Sequence, residues 1–272
     1  SYCSVRFARG RLHSYSLDSL TEEIKNAIGV GYREILLTAQ DTAAYGLDIG
    51  ADLPSLLKKI SSIESKFMVR IGMMNPSFVK RILPGLLEAY ESDKIYKFLH
   101  LPVQSGDDDV LSAMRRDYTA DDFLKIVRAF RERFEDLYLA TDIIVGFPGE
   151  GEREFIHTCE LIEEARPDKV NLTRFSPMPG TDASRMPQVD GREVAKRSRM
   201  LASRCRAIGY ELNQHYVGRM AEGLVTEPGK KGGYVARLPN YKPAIVRHAK
   251  PGDFIKLKIV DAHPTYLLGV PL

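Results

Sequence analysis

Short apolar runs and amphipathic stretches alternate five times between residues 34 and 175, at intervals of about 30 residues, and this rhythm restricts the fold more than any other feature. Ser16 is placed to cap a helix over 17–30, whose Leu17, Leu20, Ile24, Ala27 and Ile28 form one stripe. Apolar runs at 34–38, 67–72, 97–103, 138–145 and 169–175 have the length and composition of buried strands. Helical periodicity separates them at 53–63, 78–90, 120–134 and 152–164, with Pro84 expected to break or kink the second of these. Alternation of this kind specifies βαβ units and a parallel sheet. Polar residues gather just past the strand ends, at Gln40, Asp41, Asn75, Gln104, Asp142 and Arg174, which favours a (β/α) barrel or partial barrel over a doubly wound sheet.

After a basic helix over 190–214 the period changes to two. The stretches MAEGLVTEP, GYVARL, AIVRHA and DFIKLKIVDA, punctuated by Gly and Pro, read as a small all-β barrel of the oligonucleotide-binding kind. The expected division is 1–212 for the barrel and 213–272 for the β domain. The net charge of +3 conceals a split. From His215 onward nine lysines and arginines face four acids, an excess of +5, while the preceding residues carry 30 against 32, a balance of −2. The positive charge therefore sits where a phosphate backbone could use it. Three scattered cysteines make no disulfide framework and point to a reducing cytoplasm, and no run of 18 apolar residues suggests a membrane span.

Several blocks carry chemistry. Ser1-Tyr2-Cys3-Ser4 leads to Arg9-Gly10. Thr38–Gly46, Arg70–Pro76, Phe98–Gly106, Met114-Arg115-Arg116, Thr141–Glu150 and Phe175–Thr181 each lie at or just beyond an expected strand. Six such blocks in order, at barrel spacing, resemble the radical S-adenosylmethionine (SAM) methylthiotransferases, including their C-terminal RNA-binding TRAM domain. DTAAYGLDIGADLP, GMMNP and RLPNYKPAIV are most similar to the archaeal and eukaryotic branch, which acts on N6-threonylcarbamoyladenosine beside the tRNA anticodon.

The resemblance implies that Cys3 is the third thiolate of a C-x-x-x-C-x-x-C motif. Its partners would lie three and seven residues upstream, and together they would hold a 4Fe–4S cluster whose fourth iron binds SAM. The chain then reads as a partial barrel without its first strand, trimmed inside the motif and inactive alone. A second, auxiliary 4Fe–4S cluster belongs to a preceding domain. One electron, from a donor such as a flavodoxin or ferredoxin, cleaves SAM to a radical; sulfur enters carbon 2 of the adenine, and a second SAM methylates it. The alternatives are a methylthiotransferase acting on an aspartate of a ribosomal protein and a non-catalytic RNA-binding fragment.

By the same resemblance, Gln40, Asp41, Arg70, Gln104, Asp142, Val145 and Glu150 are cofactor-binding candidates. Gly146, Pro148 and Gly149 make a tight turn that lets the backbone approach a flat ligand such as adenine. Arg70 can clamp a SAM carboxylate bidentately or sit in a buried ion pair. Asp142, inside an apolar strand, needs a partner. Glu150 suits a helix start, with or without a ligand. His100 is expected to be a satisfied core histidine, and Cys159 and Cys205 packing residues. In the tail, Arg237, Tyr241, Lys242 and Arg247 mix cations with an aromatic, as stacking on RNA bases and phosphate neutralisation require. Met178 and Asp182 depart from the usual family turn near the barrel mouth.

Overall fold

In the computed structural model, which describes residues 1–3 and 10–272, α1 (Leu17–Gly29) begins where Ser16 Oγ accepts the Ser19 N–H at 3.2 Å. It is followed by β1 (Glu34–Leu37), α2 (Leu53–Ser61), β2 (Met68–Ile71), α3 (Pro76–Ala89), β3 (Phe98–His100), α4 (Asp108–Ala113) and α5 (Ala120–Arg133). Next come β4 (Tyr138–Val145), α6 (Glu152–Ala165), β5 (Lys169–Arg174) and the long α7 (Gly191–Gln214). Side-chain caps start most of these helices: Asp52 for α2, Asn75 for α3, Asp107 for α4 and a Thr119–Asp122 capping box for α5.

All pairings among β1–β5 are parallel: β1 with β2, β3 with β4, and β4 with β5, while a Val69–Ile95 bridge joins the two groups. The order 1-2-3-4-5 has no reversal, so the sheet winds as a barrel does and lacks the switch point of a doubly wound sheet. Alternate strand residues serve different layers. Val69, Ile71, Leu99, Leu139, Ile143 and Val145 pack with Leu57, Ile60, Val79, Leu86, Phe123, Phe130 and Ile162 of the helices to form the main core. Arg70, Phe98, His100, Tyr138, Ala140 and Asn171 instead line a cavity on the opposite, concave face.

Two local expectations fail. Pro84 lies inside an unbroken α3, although proline removes the hydrogen bond to the carbonyl four residues back. The neighbouring Gly85 sits so close to Pro54 of α2 that a Cβ there would meet the Pro54 ring at 3.2 Å, so tight interhelical packing supports the helix at that point. The short α4 was also not anticipated, because six residues are too few to show a period.

Behind α7, β6 (Met220–Pro228), β7 (Tyr234–Arg237), β8 (Pro243–Val246), β9 (Phe254–His263) and β10 (Tyr266–Pro271) close into a barrel around Leu238, Ala244, Val246, Leu257, Ile259, Ala262 and Leu267. Four of these strands match the sequence reading; β10 is additional. The last turn of α7 is tied to this domain, as Asn213 Nδ2 donates to the His263 carbonyl at 2.6 Å. Among the described residues, no helix is long and apolar enough to cross a membrane.

Candidate functional site

The carboxyl ends of the strands form a mouth, and the first residues of the chain are fixed there. Ser1 Oγ donates to the Ala113 carbonyl at 2.7 Å, and the Ala183 N–H donates to the Ser1 carbonyl at 3.2 Å. The Tyr2 ring stands edge-on to Phe147, 5.9 Å between centroids, and its hydroxyl accepts from Arg116. Cys3 is therefore an exposed thiol one residue from a ring packed on the turn after β4. The rest of the Arg9-Gly10 motif, Ser4–Arg9, lies outside the described residues.

Glu150 holds that turn. Its Oε1 accepts the Gly146 N–H at 2.9 Å and the Arg197 guanidinium at 3.0 Å, and Arg197 also donates to the Glu150 carbonyl at 2.8 Å. Burial pushes the Glu150 carboxyl above its ordinary value despite these donors. Glu150 is thus an internal strut of the turn, one residue before the Gly151 cap of α6. Gly146 (φ +80°) and Gly149 (φ +93°) both occupy the left-handed region. A Cβ on Gly146 would lie 2.4 Å from Val194 Cγ2, whereas one on Gly149 would meet nothing within 4 Å. Gly146→Ala should therefore cost about 2–4 kcal/mol from backbone strain plus overpacking, and Gly149→Ala about 1–2 kcal/mol from strain alone. Urea unfolding of the two variants checks this ranking; equal losses would mean that the Val194 contact yields freely.

The other candidates separate by position. Asp142 points to the concave face, where His100 Nε2 lies 2.9 Å and Asn171 Nδ2 2.6 Å from its Oδ1. Burial would raise its carboxyl, but these two partners outweigh burial and hold it below the usual range. His100 is satisfied, as expected, yet it lines the cavity and not the main core. Gln104 adopts φ +73°, unusual for a side-chain-bearing residue, and is locked to β4: its N–H donates to the Asp142 carbonyl at 2.8 Å and its carbonyl accepts from Ile144 at 2.9 Å. Asp41 accepts the N–H groups of Ala43 at 3.0 Å and Asn75 at 3.1 Å, fastening the loop after β1 to the loop after β2, with Gln40 exposed beside it. Burial raises the Asp41 carboxyl against those bonds.

Val145 and Arg70 sit elsewhere than the sequence suggested. Val145 is fully buried against the helices and its carbonyl accepts the Phe175 N–H at 2.8 Å, so its side chain is a core element. Arg70 lies away from the mouth, near the amino ends of β3 and β4, over the rings of Phe98 (4.9 Å) and Tyr241 (5.2 Å). The cation found at the mouth is Arg116. Burial opposes its charge, but the Tyr118 and Tyr2 phenols and the Cys3 thiol outweigh burial and hold it firmly protonated. Its Nε is buried without a partner. The Met114-Arg115-Arg116 block pointed to this place, but sequence could not tell Arg116 from Arg115, which is exposed and paired with Asp182 at 2.7 Å.

In the tail, Arg247 is exposed as expected. Lys242 is not: it is 2% exposed, and its Nζ donates to Asp168 at 2.6 Å and to Asn213 at 2.5 Å. Tyr241 packs on Tyr96 and Phe98, and Arg237 lies 4.4 Å from the Tyr241 ring with one nitrogen on Glu227 at 3.0 Å. These three residues join the β domain to the barrel instead of forming an open surface.

A half-buried guanidinium with an unpartnered Nε, beside a turn of left-handed glycines and an exposed thiol, fits a ligand that joins a carboxylate to a flat base, as SAM does. No group of three His, Cys, Asp or Glu able to hold a metal exists among the described residues, so Cys3 can supply one ligand of a cluster and no more.

Comparison with known proteins agrees with this arrangement. The model of the Radical SAM superfamily matches residues 1–162 and that of the TRAM domain residues 214–272. A protein of Archaeoglobus fulgidus named probable threonylcarbamoyladenosine tRNA methylthiotransferase is 50% identical over 270 residues, 99% of this chain and 63% of its own length. One of the same name from Pyrococcus abyssi is 51% identical over 269 residues. The human threonylcarbamoyladenosine tRNA methylthiotransferase is 36% identical over 276 residues, 47% of its length. The chain thus spans 63% of the archaeal relatives it matches. Among solved structures, the radical SAM enzyme coproporphyrinogen III oxidase of Escherichia coli superposes with a TM-score of 0.55 at 16% identity, covering 75% of this chain and 46% of that one, a likeness of fold. By family model and fold together, the chain belongs to the Radical SAM superfamily, a family that implies a 4Fe–4S cluster and SAM, and it carries a TRAM domain.

Proposed function

We propose that this chain is the catalytic and RNA-binding part of a methylthiotransferase that modifies carbon 2 of N6-threonylcarbamoyladenosine in tRNA, beside the anticodon. The observation that carries the reading is the position of Cys3, at the strand-end mouth next to the glycine turn and Arg116. The names of the 50% and 51% identical relatives supply the substrate.

When bound, a 4Fe–4S cluster with SAM supplies reductive cleavage of the sulfonium and a carbon radical able to abstract hydrogen. The residues here have positioning tasks. Cys3 is one of three thiolates, the other two coming from elsewhere in the longer polypeptide. Arg116 neutralises the SAM carboxylate. The Gly146–Gly149 backbone admits the adenine, and Gln104 and Asp142 present polar groups to ribose or substrate. Sulfur would come from an auxiliary cluster on a further domain and electrons from a flavodoxin or ferredoxin, and the exposed Arg247 would meet the tRNA backbone. The setting is the cytoplasm.

The test is genetic and chemical. A strain lacking the gene is complemented with the full-length protein or with its Cys3→Ala variant, and tRNA nucleosides are analysed by mass spectrometry. The wild-type gene should restore the 2-methylthio derivative and the variant should leave it undetectable with its precursor accumulated. Restoration by the variant would overturn the role of Cys3, and an unchanged nucleoside profile on deletion would overturn the substrate.

A further inference from the structure

A cavity of about 530 Å³ opens between the concave face of the sheet and the tail domain, within the usual size of small-molecule sites. Its charge is lopsided. Arg70, Lys169, Arg206 and Arg237 line it, against a single carboxylate, Asp168, which is already bound to Lys242. Arg237 is paired with Glu227, but among the described residues no acid lies within ion-pair distance of Arg70, Lys169 or Arg206.

Arg70 is the most constrained of these. Its guanidinium lies 4.9 Å from the Phe98 ring and 5.2 Å from that of Tyr241, two tilted rings themselves in contact at 5.1 Å, and Tyr241 also meets Arg237 at 4.4 Å, so two cations share one aromatic pair. The rings hold the guanidinium without using its N–H donors, which a carboxylate can bind with two parallel hydrogen bonds. The Nε of Arg70 is buried and has no partner, as is that of Arg237. Burying a donor without an acceptor is costly, and a bound anion would recover that cost. Glu34, a carboxyl that feels the charges of Arg237 and Arg70, faces the Tyr96 hydroxyl at 3.2 Å and is raised by burial. Phe98 and Tyr138 supply apolar wall, and Asn171 and His100, which also meet Asp142, offer polar edges.

We infer that this cavity, with Arg70 as the principal contact, binds the carboxylate that the substrate base carries on its threonylcarbamoyl group. The inference rests on the substrate reading above and adds to it: the tail domain, through Tyr241 and Arg237, becomes a wall of the substrate chamber. A carboxylate fits better than a backbone phosphate, because the site lies inside the sheet and behind a domain junction, whereas the strand of a tRNA runs over exposed surface. A charge-assisted pair predicts roughly 10–100-fold discrimination for the free acid, about 1.4–2.7 kcal/mol.

The test needs no cluster and no turnover. Isothermal titration of the purified protein compares the nucleoside N6-threonylcarbamoyladenosine, its methyl ester and adenosine. The acid should bind 10–100-fold tighter than the ester. Arg70→Met should abolish that preference while leaving the affinity for adenosine unchanged, and Arg70→Lys should retain part of it; urea unfolding verifies that both variants fold. Equal binding of acid and ester, or no binding of the acid, overturns the inference. Displacement of the acid by inorganic phosphate at comparable concentration reassigns the cavity to the RNA backbone and also overturns it. None of these failures touches the methylthiotransferase reading, which the nucleoside profile of the Cys3 variant decides separately.

Discussion

Replacing Arg197 with methionine should destabilise the protein by about 3–5 kcal/mol, the cost of leaving a buried charge without its partner. The guanidinium makes three bonds that methionine cannot: to the Glu150 carboxylate at 3.0 Å, to the Glu150 carbonyl at 2.8 Å and to Glu193 at 3.1 Å. Glu150 cannot reach water, since its side chain is 1% exposed and its Oε2 already lacks a partner. The loss is a large share of the roughly 5–15 kcal/mol that holds a typical domain folded. It should also depend on pH. Burial holds the Glu150 carboxyl above its ordinary value of 4.5, and loss of the cation raises it further. A carboxyl whose folded pKa exceeds its unfolded one carries no penalty while protonated in both states, and the penalty appears as pH climbs through the folded value. The Arg197→Met deficit should therefore be smaller near pH 5 than near pH 8, and the Glu150→Gln/Arg197→Met double variant should lose most of that pH dependence. Urea unfolding at the two pH values measures both effects. A deficit under 1 kcal/mol, or one that grows on acidification, would show that the pair is not the strut of the turn.

The strands and helices were legible because their signals are local. Periods of 2 and 3.6 and the length of each apolar run depend only on neighbouring residues, and β4 falls on the expected 138–145. Lone polar residues in apolar strands were also informative: Asp142 and Arg70 both face the concave side. Their partners were not readable. His100 and Asn171 stand 42 and 29 residues from Asp142 and meet it only through strand register. Val145 looked like a cofactor contact because it belongs to a motif, but alternation along β4 turns it to the helices. Arg115 and Arg116 are adjacent and chemically alike; only the fold encloses the Nε of one and exposes the other. The same limit applies to the tail, where interleaved cations and aromatics suit an RNA surface and a domain junction equally well.

Lys242 allows those two meanings to be separated by experiment. Its ammonium is enclosed by Asp168 and Asn213, with the rings of Tyr216 and Tyr138 at 5.0 and 5.1 Å. Asp168 in turn accepts the Leu139 N–H at 2.9 Å, and Asn213 donates to the His263 carbonyl, so one cation ties β4, the loop before β5, α7 and the tail barrel together. Lys242→Met should cost about 3–5 kcal/mol by leaving Asp168 buried and uncompensated, and adding Asp168→Asn should return a large part of it. A residue buried in this way contacts no phosphate. The slope of log K against log salt for tRNA binding should therefore be unchanged in Lys242→Met, at temperatures where the variant is folded. The exposed Arg247, replaced by glutamine, should lower that slope by about one if it neutralises one phosphate. A reduced slope with near-normal stability in Lys242→Met would place the lysine on the RNA and require a different arrangement of the two domains. The opposite pattern, a stability loss with the slope intact, is what the bonds to Asp168 and Asn213 demand.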